Sequence, residues 1–146
     1  MKSLFRLRKI SFAELVILAE GVFLLTAVSV CLRLRGLLRT RWWLRQFQVL
    51  LVYLPQVTAE RVVALVTCAD KHCPLRSTCL TRALAAHLLL ARSGHESRLH
   101  IGVARDERGA FEAHAWLERN QQVILGGTRE YVNRYVALDR ADELTV

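Results

Sequence analysis

From Ile10 to Leu32 the chain is nearly all apolar, with Glu14 and Glu20 inside the run and Lys9 and Arg33 at its ends. Such a run predicts a long helix. It is long enough to cross a bilayer, but an acidic group at the centre of a spanning helix costs about 2.5–3.5 kcal/mol. Basic residues at both ends also remove any positive-inside asymmetry. The expected form is a helix buried on most sides, with Glu20 paired to an arginine; membrane-surface contact and spanning remain as alternatives. A signal peptide is not expected, because the apolar stretch is too long and no small-residue cleavage site follows it. A second helix is predicted from about Arg41 to Tyr53, broken by Pro55. Thr58 then caps a third, Ala59 to about Ala69, with Val62, Val63, Leu65 and Val66 apolar against polar Glu60 and Arg61. Residues 1–54 read as a basic, apolar helical region in which Trp42 and Trp43 pack, and 55–146 as the core that follows.

Pro74 ends the preceding segment, and the pattern then restarts. Ser77 or Thr78 is a good N-cap and sets Cys79 in a first helical turn. Leu80, Leu84, Leu88 and Ala91 recur every three or four residues, predicting a helix with one face inward, ended by Gly94. Leu99, Ile101 and Val103 alternate with Arg98, His100 and Gly102, the mark of a strand with one buried face. Asp106-Glu107-Arg108-Gly109 supplies a turn. In the next strand Phe111, Ala113, Ala115 and Leu117 share one face, and His114 and Trp116 share the other with Glu112 and Glu118. Asn120-Gln121 makes a second turn and Val123-Ile124-Leu125 a third strand. The expected fold is α+β: an antiparallel meander packed on the Cys79 helix.

Composition narrows this only slightly. The length of 146 residues fits one domain, and 53% hydrophobic residues with two prolines and seven glycines argue against disorder and against a loop-rich β fold. Charge adds more. Residues 1–45 hold nine Lys or Arg against Glu14 and Glu20, so they carry +7 of the chain's +8. A basic front end suits acidic lipid or an acidic partner, and equally a solvated helix surface. No nucleic-acid motif accompanies it, so DNA or RNA binding is not expected. The four cysteines, Cys31, Cys68, Cys73 and Cys79, fit a reduced, cytoplasmic setting better than a disulfide framework. Cys68, His72, Cys73 and Cys79 match no compact zinc spacing. No metal or cofactor is expected.

The candidate chemistry lies in Cys79 and His114. Unpaired N–H groups in a first helical turn favour a thiolate and offer donors to an oxyanion, with Ser77, Thr78 and Trp116 as further oxyanion or substrate candidates. An imidazole on a neighbouring strand would take the thiol proton and return it. A third group usually orients such an imidazole. Pairing across Asn120-Gln121 brings Gly126 or Gly127 beside His114, where no acid is available. A backbone carbonyl there is one alternative; Glu112, Glu130, Asp139 and Asp142 are others. Glu118 is a poor one, about 13 Å along the strand. His87 lies about 12 Å along the helix from Cys79, too far for contact; His95 falls in a turn, and His100 faces solvent or the site.

Arg76-Ser77-Thr78-Cys79-Leu80 through Ala83-Leu84-Ala85, Ile101-Gly102-Val103, Ala113-His114-Ala115-Trp116-Leu117-Glu118 and Val123-Ile124-Leu125-Gly126-Gly127 together resemble the transglutaminase-like leader peptidases of lasso-peptide biosynthesis, over about residues 55–140. The resemblance implies a papain-like cysteine protease, similar to the stand-alone peptidase of split systems. Its activity would be removal of the leader from a ribosomally made precursor. Its partners would be that precursor, a small leader-recognition protein and an asparagine-synthetase-like cyclase. By position, Cys79 would be the nucleophile and His114 the base and acid. The family's aspartate on the following strand is replaced here by Gly126 or Gly127. Two rivals remain: a non-hydrolytic acyltransferase of the same fold, and a non-catalytic assembly or membrane subunit.

Overall fold

A computed structural model describes residues 11–49, 57–73 and 75–138, with the backbone alone described from 35 to 49. Helix α1 runs from Phe12 to Val49. Its start is a capping box: the Ser11 N–H donates to Glu14 Oε2 at 2.9 Å, and the Glu14 N–H donates to Ser11 Oγ at 3.2 Å. The break expected between Leu32 and Arg41 does not occur. Arginine and leucine dominate the stretch between and sustain a helix well, and the single Gly36 is not enough to end it. Pro55, the boundary at 54 and the side chains of Trp42 and Trp43 lie outside the described residues.

Helix α2 (Ala59–His72) starts where Thr58 accepts a hydrogen bond from the Arg61 N–H, and runs three residues beyond the expected end. Helix α3 (Cys79–Arg92) is capped by Thr78, whose Oγ1 accepts from the Thr81 N–H at 3.2 Å. At its far end the His95 N–H reaches the Leu90 carbonyl and the Gly94 N–H the Ala91 carbonyl, which closes the helix as a Schellman motif.

Strands β1 (Arg98–Arg105), β2 (Phe111–Arg119) and β3 (Gln122–Leu125) form the antiparallel meander, with β2 in the middle. The β2–β3 turn carries positive φ at both Asn120 (49°) and Gln121 (61°), the twist that a tight hairpin needs. Two elements were not expected. A one-turn helix α4 (Arg129–Val132) follows Thr128, and a two-residue strand β4 (Val136–Ala137) returns to pair with β1. The sheet order is therefore β3-β2-β1-β4.

The core explains the layers. Ile17, Leu24, Leu25 and Val28 of α1, Val62, Val66 and Ala69 of α2, and Leu99, Ala115 and Leu117 of the sheet all pack around α3. Helix α3 is thus buried all round from Ala83 to Leu90, not on the single expected face. It lies between the other helices and the sheet, and the small side chains of Ala83, Ala85 and Ala86 let both layers approach.

Helix α1 also departs from expectation. Phe12–Leu34 is the one stretch among the described residues long and apolar enough to cross a membrane, yet only 33% of it is buried. It packs on α2 and α3 from one side, and its other side stays open. Its two acids point inward: Glu14 meets Arg61 at 2.6 Å, and Glu20 pairs with Arg92. Burial holds the Arg92 guanidinium below the ordinary arginine value. Replacing Glu20 by glutamine removes one charge from this half-buried pair. The expected cost is about 2 kcal/mol, read as a lower urea midpoint with an unchanged slope.

Candidate active site

Cys79 is the first residue of α3, and its place is set from two sides. Thr78 caps the helix, while the Ser77 hydroxyl donates to Asp70 on α2. Asp70 also lies 3.6 Å from Arg82, one turn into α3. Asp70 thus ties the end of α2 to the loop before the thiol, a role that the apolar periodicity of α2 gave no means of seeing. Ser77 and Thr78 are both engaged in this scaffold. The Cys79 side chain is half-buried and packs against the main core. All four cysteines are free thiols. Cys73 sits 3.6 Å from the Thr26 hydroxyl, and His72 Nδ1 lies 2.9 Å from the Cys68 carbonyl.

His114 is built into a second, aromatic cluster. Its Cα partner across the sheet is Gly102. A Cβ at Gly102 would come within 2.9 Å of both Trp116 and Tyr135, so a bare backbone is required where those rings close over the strand. Around the imidazole stand Trp116 (centroids 6.3 Å apart, stacked), Tyr131 (5.3 Å, edge-on) and Tyr135 (5.1 Å). Trp116 is buried and also carries His100 on its ring at 5.4 Å, and its indole N–H donates to Glu118.

The third partner of His114 is a backbone carbonyl: Gly126 O lies 2.6 Å from Nε2. A carbonyl only accepts, so Nε2 carries the proton and Nδ1 keeps the lone pair. Nδ1 is then the atom that can take a proton from a thiol. The register that delivers Gly126 differs from the simple hairpin expectation. A bulge at Ile124 pairs Leu117 with Leu125 but Glu118 with Val123, so Gly126 falls beside Trp116 rather than His114. Its carbonyl still reaches the ring.

The acids weighed for this role are engaged elsewhere or lie outside view. Glu112 pairs with Arg134 at 2.5 Å, and Glu118 with Arg129 at 2.6 Å. Glu130 is exposed at the start of α4. Asp139 and Asp142 lie outside the described residues.

Among the described residues no hydrogen bond joins Cys79 to His114. The thiol packs with the helical core; the imidazole lies on the sheet face of Trp116 and Tyr135. Ala115 and Leu117 pack with α3, whereas His114 and Trp116 lie on the opposite face of β2, so the imidazole stands on the side of the sheet turned away from the Cys79 helix. An open cleft of about 690 Å³ is lined by His87, His95, Ser97, Arg98 and Arg119, and neither Cys79 nor His114 lines it. There His87 Nδ1 meets Ser97 Oγ at 2.9 Å, and His95 Nε2 meets the Val57 carbonyl at 2.7 Å.

Tyr131 and Tyr135 were missed from the sequence, although Thr128 is a legible N-cap and the tyrosines share a helical spacing of four. Their hydroxyls lie 3.1 Å apart, and Arg134 donates to Tyr135 at 2.9 Å while covering both rings. The Tyr135 phenol is pushed up to about 12, first by burial and then by its bond to Tyr131. A folded value above the ordinary 10.0 means that the native state holds this proton more tightly. The stability it contributes is complete below the ordinary value and is lost as pH rises through the raised one. Resistance to urea should therefore fall between pH 10 and about 12, and less steeply in Tyr135→Phe.

The helix that opens on Cys79 packs on one face of an antiparallel sheet whose central strand carries His114. The chain matches the family model described as the transglutaminase-like superfamily over residues 22–139, and it belongs to that family. The match starts within α1, so part of the N-terminal helix falls inside it. No curated protein and no solved structure matches the chain.

Proposed function

We propose that this protein is a cysteine peptidase that removes the leader from a ribosomally made lasso-peptide precursor. The observation that carries the catalytic part is the imidazole with Nε2 held by the Gly126 carbonyl, leaving Nδ1 as base, on a fold that includes cysteine peptidases and acyltransferases. The Thr78-capped helix start supports Cys79 as the nucleophile. The choice of substrate rests on the motif resemblance around Cys79, His114 and Gly126-Gly127.

In this reading the Cys79 thiol gives its proton to His114 and attacks the scissile carbonyl. N–H groups of the first turn of α3 hold the oxyanion, and His114 protonates the leaving amine. That amine is the new N-terminus of the core peptide. Water activated by His114 then attacks the thioester and releases the leader acid, restoring the thiol. A small recognition protein would present the leader, and an asparagine-synthetase-like cyclase would use the freed amine.

Incubating the protein with precursor and recognition protein, then weighing the products, tests this. Two fragments whose masses sum to precursor plus one water support hydrolysis. A single product that has lost ammonia or water instead points to the acyltransferase rival. The non-catalytic reading draws on the lack of a Cys79–His114 hydrogen bond among the described residues. Alkylation of Cys79 at neutral pH faster than that of Cys31, Cys68 and Cys73 would argue against it.

A further inference from the structure

The open side of α1 carries a single apolar stripe. Phe12, Leu15, Ala19, Phe23, Val30 and Leu34 follow one another at helical spacings of three, four and seven. Phe12 is 83% exposed, Phe23 59% and Leu34 77%. Large apolar side chains in a continuous row about 33 Å long are unusual on a solvated surface. Thr26, between Phe23 and Val30, turns its hydroxyl back to the Val22 carbonyl. Both acids of the segment point the other way, to Arg61 and Arg92. The face turned to the protein is apolar as well, with Ile17, Leu24, Leu25 and Val28 in the core, so α1 has no polar face to give to water between Phe12 and Leu32.

We infer that this face is a membrane anchor: α1 lies in the plane of an anionic lipid surface, with the stripe among the acyl chains and the rest of the protein above it. Charge selects the occupant. Residues 1–45 carry nine basic residues, and their only two acids are the inward-turned Glu14 and Glu20. Arg33 stands exposed beside the end of the stripe, and Lys2, Arg6, Arg8 and Lys9 precede its start in the sequence. A second copy of the same face would set these charges against themselves; anionic headgroups neutralise them.

The packing also selects the orientation. Helix α2 lies against α1 and exposes Glu60, Lys71 and His72 on its far side. A spanning α1 with this packing intact would carry those groups into hydrocarbon. Lying flat wets only the stripe.

The test uses the purified full-length protein and lipid vesicles without precursor, so its outcome is independent of the peptidase reading; Cys79→Ala should bind as the native protein does. Native protein should float with vesicles of phosphatidylcholine containing phosphatidylglycerol, less with phosphatidylcholine alone, and less as salt rises. Phe12→Glu/Phe23→Glu changes two exposed positions, so circular dichroism and melting should be unchanged while vesicle affinity falls about tenfold or more. Four results would overturn the inference: no flotation of the native protein; equal flotation of the double variant; a native dimer that the double variant makes monomeric; or retention on vesicles after an alkaline carbonate wash, which marks a spanning helix.

Discussion

Cys79→Ala is expected to lower precursor cleavage at least about 10⁴-fold while leaving the melting temperature within a degree or two of native. The two halves of this expectation come from different features. The Cys79 sulfur is the one protein atom that bonds covalently to substrate in the proposed reaction, so no neighbour can replace it. Its site is half-buried at a helix start, and alanine fills nearly the same space there without disturbing the Thr78 cap or the Ser77–Asp70 link. His114→Ala should lower cleavage comparably but also destabilise, because it empties a position touched by Trp116, Tyr131 and Tyr135. Residues that act as one unit are not additive. The Cys79→Ala/His114→Ala protein should therefore be no slower than the slower single variant. Cleavage by Cys79→Ala at more than a few per cent of the native rate would sink the nucleophile assignment, and a double variant much slower than either single one would show that the two residues act separately.

Local signals carried most of the architecture. Thr58 and Thr78 mark helix starts because a hydroxyl at the N-cap satisfies a nearby N–H, a rule that needs no tertiary information. Alternation placed His114 and Trp116 on the sheet face opposite Ala115 and Leu117, and the two clusters divide in that way. What escaped depends on partners distant in sequence. Strand β4 is two residues long and exists because β1 offers it an edge. The burial of α3 on all sides follows from α1 lying across it, and no periodicity within α3 can report a neighbour more than fifty residues away. The bulge at Ile124 moved Gly126 by one position, beyond what turn type and loop length specify. Glu20 was the exception among long-range features. An acid in an apolar run must find a cation, and Arg92 supplies it. The same reasoning did not reveal that the partner would leave the opposite side of α1 bare.

The Gly-Gly step gives His114 a carbonyl partner, and Gly126→Ala should show what that contact requires. A Cβ at residue 126 would sit 2.6 Å from Trp116 Cβ, 2.8 Å from Trp116 Cα and 2.9 Å from the Ala115 carbonyl. These atoms belong to the central strand or are fixed to it, so none can swing aside. The backbone stands at φ 103°, a region that L side chains rarely enter. Overpacking and backbone strain together should cost about 3 kcal/mol or more. Gly127→Ala, at φ 128°, meets chiefly the Tyr131 ring at 2.8 Å, which has more room to give. It should cost less. Stability alone would not separate a structural glycine from one that orients the base, so the second readout is the imidazole itself. Nitrogen NMR of native protein should show His114 protonated at Nε2, bonded to the Gly126 carbonyl. In Gly126→Ala the carbonyl is displaced, the ring should populate both tautomers, and kcat should fall more than folding loss explains. A Gly126→Ala protein with native stability and an unchanged His114 tautomer would mean that neither the close approach nor the carbonyl governs this site.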